Sequence, residues 1–98
     1  MIGIILAASI SVSPFCEAMG NFAETVMTSR QNGETLNTVL RGYKDAYIRS
    51  NLDNTSTSFT LTILSNAYDV PLVAEKDKQA FIKEYGNITR AACSKSGL

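Results

Sequence analysis

The chain has 98 residues, with nine basic and nine acidic side chains, two cysteines and no histidine. This length accommodates one small domain, and the zero net charge gives no electrostatic reason to expect a nucleic acid as partner. Without histidine the chain cannot build a Ser-His or Cys-His nucleophile pair, and two cysteines alone are too few for a structural zinc site. We therefore predict that the protein is not an enzyme and that it has no cofactor and no metal site.

The first fifteen residues carry no charged side chain, and residues 2–12 form an apolar run. The run has about the length of a signal-peptide core and is shorter than the roughly 20 apolar residues of a membrane-spanning helix. No basic residue precedes it and Pro14 would follow a cut after Ser13, so a buried segment of a cytosolic protein is the alternative. We predict that residues 1–15 are a signal peptide or apolar N-terminal segment. Residues 16–98 are predicted to form a single helical domain that is periplasmic or secreted.

The two cysteines stand near the ends of the predicted mature chain. Cys16 follows the apolar segment, and Cys93 lies close to the end of the sequence. An even number of cysteines in a small exported chain is typical of a disulfide. Closing a loop of this length stabilises the fold by about 4.5 kcal/mol in the chain-entropy model. We predict a Cys16–Cys93 bridge; two ordinary buried thiols are the alternative.

Apolar residues recur with helical spacing along the segment that follows the apolar run. They are Phe15, Ala18, Met19, Phe22, Ala23, Val26 and Met27. This periodicity is that of an amphipathic helix. Pro14 suits a first helical turn, and Asn32-Gly33 supplies a left-handed stop. The pattern predicts the first helix over residues 15–31.

The same periodicity continues after Gly33 and predicts a second helix over residues 34–49. Its apolar positions are Leu36, Val39, Leu40, Tyr43 and Tyr47. Gly42 is a weak position in this helix, because glycine costs roughly 1 kcal/mol relative to alanine. The polar run 50–58, rich in Asn, Ser and Thr, is predicted to be a loop.

Residues 59–68 fit two periodicities. Phe59, Leu61 and Ile63 alternate with threonines, as in a strand, but the segment also forms a helical stripe. A lone strand would have nothing to pair with, so we predict a third helix, ended by Val70-Pro71. Residues 74–94 predict a fourth helix with Phe81, Tyr85, Ile88 and Ala92 on one side.

These elements predict an all-α fold, a small bundle of three to four helices clamped by one disulfide between the first and last helix. In an up-down-up-down bundle the first helix begins where the fourth ends, and these are the positions of Cys16 and Cys93. The predicted core consists of Phe22, Val26, Leu36, Leu40, Leu64, Phe81, Tyr85 and Ile88.

The chain offers few candidates for chemistry or recognition. Glu17 and Glu24 lie two helical turns apart, about 10 Å, which is near the upper limit for the carboxylates of an inverting glycosidase. We interpret them as part of a solvated helix face instead. Tyrosine is enriched at interface hot spots, so the tyrosines are candidates for partner contacts, with core packing as the alternative. Arg30 and Gln31 either cap the first helix or face a partner. The candidate partner contacts are Arg30, Gln31, Tyr43, Tyr47 and Tyr68.

Three stretches carry a family resemblance: Cys16-Glu17-Ala18, the sequence ETVMTSRQNG at residues 24–33, and AYDVP at residues 67–71, followed by a terminal helix that ends at Cys93. This order resembles a group of small uncharacterised secreted proteins of tailed bacteriophages and prophages of Gram-negative bacteria, over about residues 16–93. The resemblance implies a helical, disulfide-linked periplasmic protein; the family has no established activity to carry over to this chain.

For function, we expect a non-enzymatic periplasmic module that binds a host or phage protein. The alternative is a membrane-associated lysis or superinfection-exclusion factor that retains its apolar N-terminus.

Overall fold

The computed structural model describes the backbone of residues 12–50 and 54–98 and the side chains of residues 12–45 and 55–98. This part of the chain is all-helical. Its four α-helices are α1 (Pro14–Gln31), α2 (Leu36–Ser50), α3 (Asn54–Asp69) and α4 (Lys78–Lys95), with a 3-10 turn at Glu75–Asp77 before α4. The predicted all-α fold with a disulfide between the first and last helix is confirmed. Most of the predicted N-terminal segment and the side chain of Tyr47 lie outside the described residues.

Helix α1 begins and ends with the signals that its sequence contains. Ser13 is the N-cap and accepts a hydrogen bond from the backbone N–H of Cys16, and proline occupies the first turn. At the other end Gly33 has φ of 89°, a left-handed conformation that glycine adopts without steric cost. The N–H groups of Gly33 and Glu34 donate to the carbonyls of Arg30 and Ser29, which is a Schellman motif.

The helices run up, down, up and down around α1. The most extensive packing joins α1 to α4, α3 packs against α1 next, and α2 packs more lightly on α1 and α3. Near the start of α1 the ring of Phe15 meets Phe59 of α3, with centroids 6.3 Å apart. At its far end Arg30 reaches Val70, just past the end of α3. Helices α1 and α3 are therefore parallel, whereas α4 returns antiparallel to α1.

The core lies where α1, α3 and α4 meet. Its buried members are Ala23, Val26, Met27, Ile63, Leu64, Ala67 and Ile82. Among the predicted core residues, Val26 and Leu64 are buried, and Phe22, Leu36, Leu40, Phe81 and Tyr85 are half-buried at the rim. The predicted core is thus correct in its centre and too wide toward α2.

The prediction that Ile88 belongs to the core is wrong, since this residue is 55% exposed. Helix α4 instead buries Ile82, Gly86, Thr89 and Cys93. Glycine and threonine are not apolar markers, so periodicity alone cannot find a helix face that they form. Gly86 lies there because α1 approaches α4 closely at that position.

The helical reading of residues 59–68 is confirmed, but the predicted loop at 50–58 is wrong for its described ends. Helix α2 continues to Ser50, and α3 already begins at Asn54. Along α3 the hydroxyls of Thr60 and Thr62 donate to backbone carbonyls of the preceding turn, at 2.9 Å. Threonine hydroxyls bonded in this way are compatible with a helix, so a polar run of this composition does not require a loop.

The bridge between Cys16 and Cys93 closes one end of the bundle. The two Cα atoms are 5.5 Å apart, and both residues are fully buried. Beside the bridge, the hydroxyl of Ser13 donates to the carbonyl of Leu98 at 3.0 Å. The connection from α3 to α4 lies at the opposite end, where α1 ends.

Candidate functional site

The segment between α3 and the 3-10 turn, Val70-Pro71-Leu72-Val73-Ala74, is apolar throughout; we call it the 70–74 loop. It contains no helix. Proline fixes its own φ and disfavours helical backbone at the residue before it. At the other end Ala74 is extended, with φ of −61° and ψ of 148°. The loop is therefore a stretch of open backbone between two helical elements.

Arg30, in the last turn of α1, holds the start of the loop. Its Nε and Nη2 atoms both donate to the carbonyl of Val70, at 3.1 and 2.8 Å. The guanidinium also lies over the ring of Tyr68, 5.3 Å from the centroid, within the range of a cation–π contact. The pKa of Tyr68 is raised, mainly by burial and then by the nearby Glu34 carboxylate. The positive charge of Arg30 lowers this pKa by a smaller amount. These contacts join the ends of α1 and α3.

Gln31 holds the loop on both sides of Leu72. Its side chain is buried, with 2% of the residue exposed. The amide Nε2 donates to the carbonyl of Pro71 at 3.2 Å, and Oε1 accepts from the backbone N–H of Val73 at 2.8 Å. A primary amide offers one acceptor and two donors, so this single side chain pairs with the loop as a neighbouring strand would.

The residue between these two hydrogen bonds is presented to solvent. Leu72 is 55% exposed, although its neighbour Val73 is half-buried. Within the described ranges, no hydrogen bond engages the backbone N–H or C=O of Leu72. A segment already fixed in one conformation loses less entropy when it binds. The 70–74 loop is thus a pre-ordered apolar projection.

The structure brings Arg30, Gln31 and Tyr68, three of the predicted partner contacts, together around this loop. The hydroxyl of Tyr68 donates to the carbonyl of Glu34 at 3.0 Å. The side chains of Arg30 and Gln31 bond the 70–74 loop, whereas the sequence left helix capping or partner contact as their roles. A direct contact of these residues with a partner stays a prediction.

Tyr43 lies apart from this site. Its ring is tilted against Phe22, with centroids 5.7 Å apart, and its hydroxyl is hydrogen-bonded to that of Thr60. Leu40 and Leu61 accompany it along a shallow groove between α2 and α3. Tyr43 therefore packs at the rim of the core and is partly exposed. Its role as a partner contact stays a prediction.

A second polar cluster joins α1 to α4, and Arg90 is its centre. The Arg90 guanidinium contacts Glu17 Oε1 at 2.9 Å, Glu24 Oε2 at 2.7 Å, Asn21 Oδ1 at 2.8 Å and Asn87 Oδ1 at 3.1 Å. Hydrogen bonding to Glu24 is the largest cause of the raised pKa of Arg90. The Glu24 side chain is only 25% exposed, so its interpretation as part of a solvated face is wrong.

Two glycines make room for this cluster. A Cβ atom at Gly20 would lie 2.2 Å from Cγ of Arg90, and a Cβ atom at Gly86 would lie 2.4 Å from Cγ of Glu24. Each charged side chain therefore crosses a glycine of the opposite helix. The two carboxylates converge on one guanidinium, so the cluster links α1 to α4.

Comparisons with protein-family models, with curated proteins and with solved structures give no match. Among the described residues, no group of three or more His, Cys, Asp or Glu side chains is placed to hold a metal ion. None of the described helices has the length and apolar character needed to cross a membrane. The class that the geometry defines is a disulfide-clamped helical bundle that presents a fixed apolar loop.

Proposed function

We propose that the protein is a non-enzymatic, periplasmic or secreted module that binds another protein through the 70–74 loop. The observation that carries this proposal is the double hydrogen bond of Gln31 across Leu72. The buried side chain of Gln31 holds a loop whose central apolar residue, Leu72, is exposed. A protein interface concentrates its binding energy in a few residues that become buried at its centre, and a pre-ordered loop loses less entropy when it binds.

Two further observations support the compartment and the kind of partner. The buried bridge between Cys16 and Cys93 suits an oxidising environment. The resemblance to secreted phage and prophage proteins points to a host or phage protein as the partner. The alternative, a membrane-associated lysis or exclusion factor, depends on the apolar residues 1–11, which lie outside the described part of the chain, and it stays a prediction.

Site-specific crosslinking in a Gram-negative host tests the loop as the contact. A photoreactive residue replaces Leu72 in one variant and Ile88 in another, because both residues are 55% exposed and only one lies in the loop. We expect a crosslinked product from position 72 that excess wild-type protein suppresses, and none from position 88. Equal crosslinking from the two positions, or none from position 72, contradicts the proposal.

Fractionation of cells that express the full chain tests the compartment separately. We expect release by osmotic shock and an intact mass that lacks the N-terminal segment and is lower than that of the dithiol form by two hydrogen atoms. Retention of Met1 in the membrane fraction contradicts the periplasmic assignment and favours the alternative.

A further inference from the structure

Resting on the binding role above, we propose that the partner is a serine endopeptidase with an apolar primary pocket. The 70–74 loop enters its active-site cleft as a substrate would, with Leu72 in the pocket and the Leu72–Val73 peptide bond at the catalytic serine. The protein is then a reversible inhibitor of that enzyme.

The backbone of the loop is open to pairing, as a bound substrate requires. Residues 70–74 lie outside the helices, Ala74 is extended, and the N–H and C=O of Leu72 are not engaged by any described residue. These are the groups that the cleft must pair with, because the carbonyl of the residue in the primary pocket is the one attacked. Gln31 bonds only the neighbours, at Pro71 and Val73.

The exposure pattern favours an enzyme that reads the residue before the scissile bond. Leu72 is exposed and free to fill a pocket, whereas Val73 is half-buried against the bundle. Serine endopeptidases of the chymotrypsin type choose substrates by the residue on the carbonyl side of the cut, in a pocket that is apolar in chymotrypsin and acidic in trypsin. An enzyme that reads the following residue would need Val73.

The covalent layout also resists cleavage. Hydrolysis at this site adds one water across the Leu72–Val73 amide and leaves a carboxylate and an ammonium group. The two fragments stay joined, because Cys16 lies in the first and Cys93 in the second. Gln31 and Arg30 on α1 still bond residues on the first fragment, and Gln31 also bonds Val73 on the second. The new ends therefore remain close together and the product stays in the cleft.

The first experiment measures hydrolysis of a small chromogenic peptide by chymotrypsin, subtilisin and elastase in the presence of the oxidised full-length protein. We expect inhibition of at least one of them, with an inhibition constant of about 1 µM or lower. Leu72→Asp should weaken inhibition by about 30-fold or more, as expected for an interface hot spot. The matched control Ile88→Asp, an equally exposed position, should stay within about twofold.

The second experiment changes the specificity. Leu72→Arg should convert the protein into an inhibitor of trypsin and abolish inhibition of the enzyme that the wild type inhibits, because the trypsin pocket is acidic. Both position-72 variants alter an exposed side chain, so their circular dichroism spectra and unfolding midpoints should match the wild type.

The third experiment removes the support of the loop. Gln31→Leu deletes both hydrogen bonds and Gln31→Glu deletes only the donor, so a second variant remains if the first does not fold. We expect the inhibited protease to cut these variants faster after Leu72, and the products to separate on a gel only after reduction.

The outcomes separate this inference from the binding role. Crosslinking from position 72 to a protein that is not a protease, with no inhibition of the three enzymes, overturns the protease assignment and leaves the binding role standing. Inhibition that Leu72→Asp and Leu72→Arg leave unchanged also overturns it. Loss of both crosslinking and inhibition overturns the two proposals together.

Discussion

Two glycines, Gly20 and Gly86, leave the space that the side chains of Arg90 and Glu24 occupy. Arg90 of α4 crosses Gly20 of α1, and Glu24 of α1 crosses Gly86 of α4. In each helix the glycine precedes its charged residue by four positions, so the two pairs are related by the antiparallel packing. Four positions along a helix return to the same face, which lets the ion pair lie inside the helix contact.

Alanine at either of these glycines should destabilise the protein. An added Cβ forces Arg90 or Glu24 out of its position, and overpacking of this kind costs about 1–3 kcal/mol. Gly42 is the control, because an added Cβ there meets no atom within 4 Å, and Gly42→Ala should stabilise α2 by up to about 1 kcal/mol. Urea unfolding of Gly20→Ala, Gly86→Ala and Gly42→Ala measures the three effects; equal effects at all three positions contradict this account.

Tyr85 makes stability sensitive to alkaline pH. Its hydroxyl donates to the carbonyl of Ile63 at 2.6 Å, and burial raises the pKa of Tyr85 to about 12, compared with about 10 in an unfolded chain. The folded state therefore favours the neutral phenol. The resulting stabilisation is complete below pH of about 10 and is lost as the pH rises toward about 12.

Tyr85→Phe tests this dependence. We expect the variant to be about 1 kcal/mol less stable near neutral pH, because it lacks the hydrogen bond. Its stability should then fall less steeply than that of the wild type above pH of about 10. Unfolding midpoints measured along the pH scale give both slopes, and parallel slopes in the alkaline range contradict the role of Tyr85.

At the scale of elements, the end of α1 sets the position of the 70–74 loop. Gly33 turns the chain immediately after Arg30 and Gln31, with φ of 89°. Gly33→Ala should destabilise the protein by about 1–2 kcal/mol, since a side chain is strained in this conformation. Thermal or urea unfolding measures the loss. No steric clash contributes, because an added Cβ at Gly33 meets no atom within 4 Å, so a stabilised variant contradicts the backbone argument.

Helix α1 was predictable because its sequence carries every boundary signal: Ser13 and Pro14 at the start, an apolar stripe, and Asn32-Gly33 at the end. The buried face of α4 lies one residue further along the chain than predicted, because Gly86 and Thr89 carry no apolar signal. The start of α3 was missed because its threonines read as loop residues, although their hydroxyls bond the helix itself.

The candidate site was only partly predictable. Arg30, Gln31 and Tyr68 were predicted as candidate partner contacts, but a polar residue at the end of a helix does not say which carbonyl it will bond. The pairing of Gln31 with residues 71 and 73 joins positions about forty residues apart, which local patterns cannot reveal. Leu72 gave no signal, because an apolar residue in an apolar loop is indistinguishable from a buried one until the fold is known.

At the scale of the whole molecule, the bridge between Cys16 and Cys93 should provide much of the stability. It encloses 77 positions of the chain, and its loss should cost up to about 4.5 kcal/mol in the chain-entropy model. We expect Cys16→Ser and Cys93→Ser to be destabilised by similar amounts and the double variant to be no less stable than either. Urea unfolding of the three variants, compared with reduced wild type, measures the effect; two variants that differ widely would indicate a local packing defect.

The hydrogen bond between Ser13 and Leu98 fixes residue 98 at one end of the bundle, which determines the orientation of the protein when it is attached to a surface through that residue. Both residues lie beside the bridge, whereas Leu72 lies at the opposite end of α1, an 18-residue helix that spans about 27 Å. A bead or sensor surface attached at residue 98 therefore stands behind the bundle, and the 70–74 loop points outward. When the protein is immobilised in this orientation, every copy presents the 70–74 loop to proteins in solution, so no long spacer is needed between residue 98 and the surface.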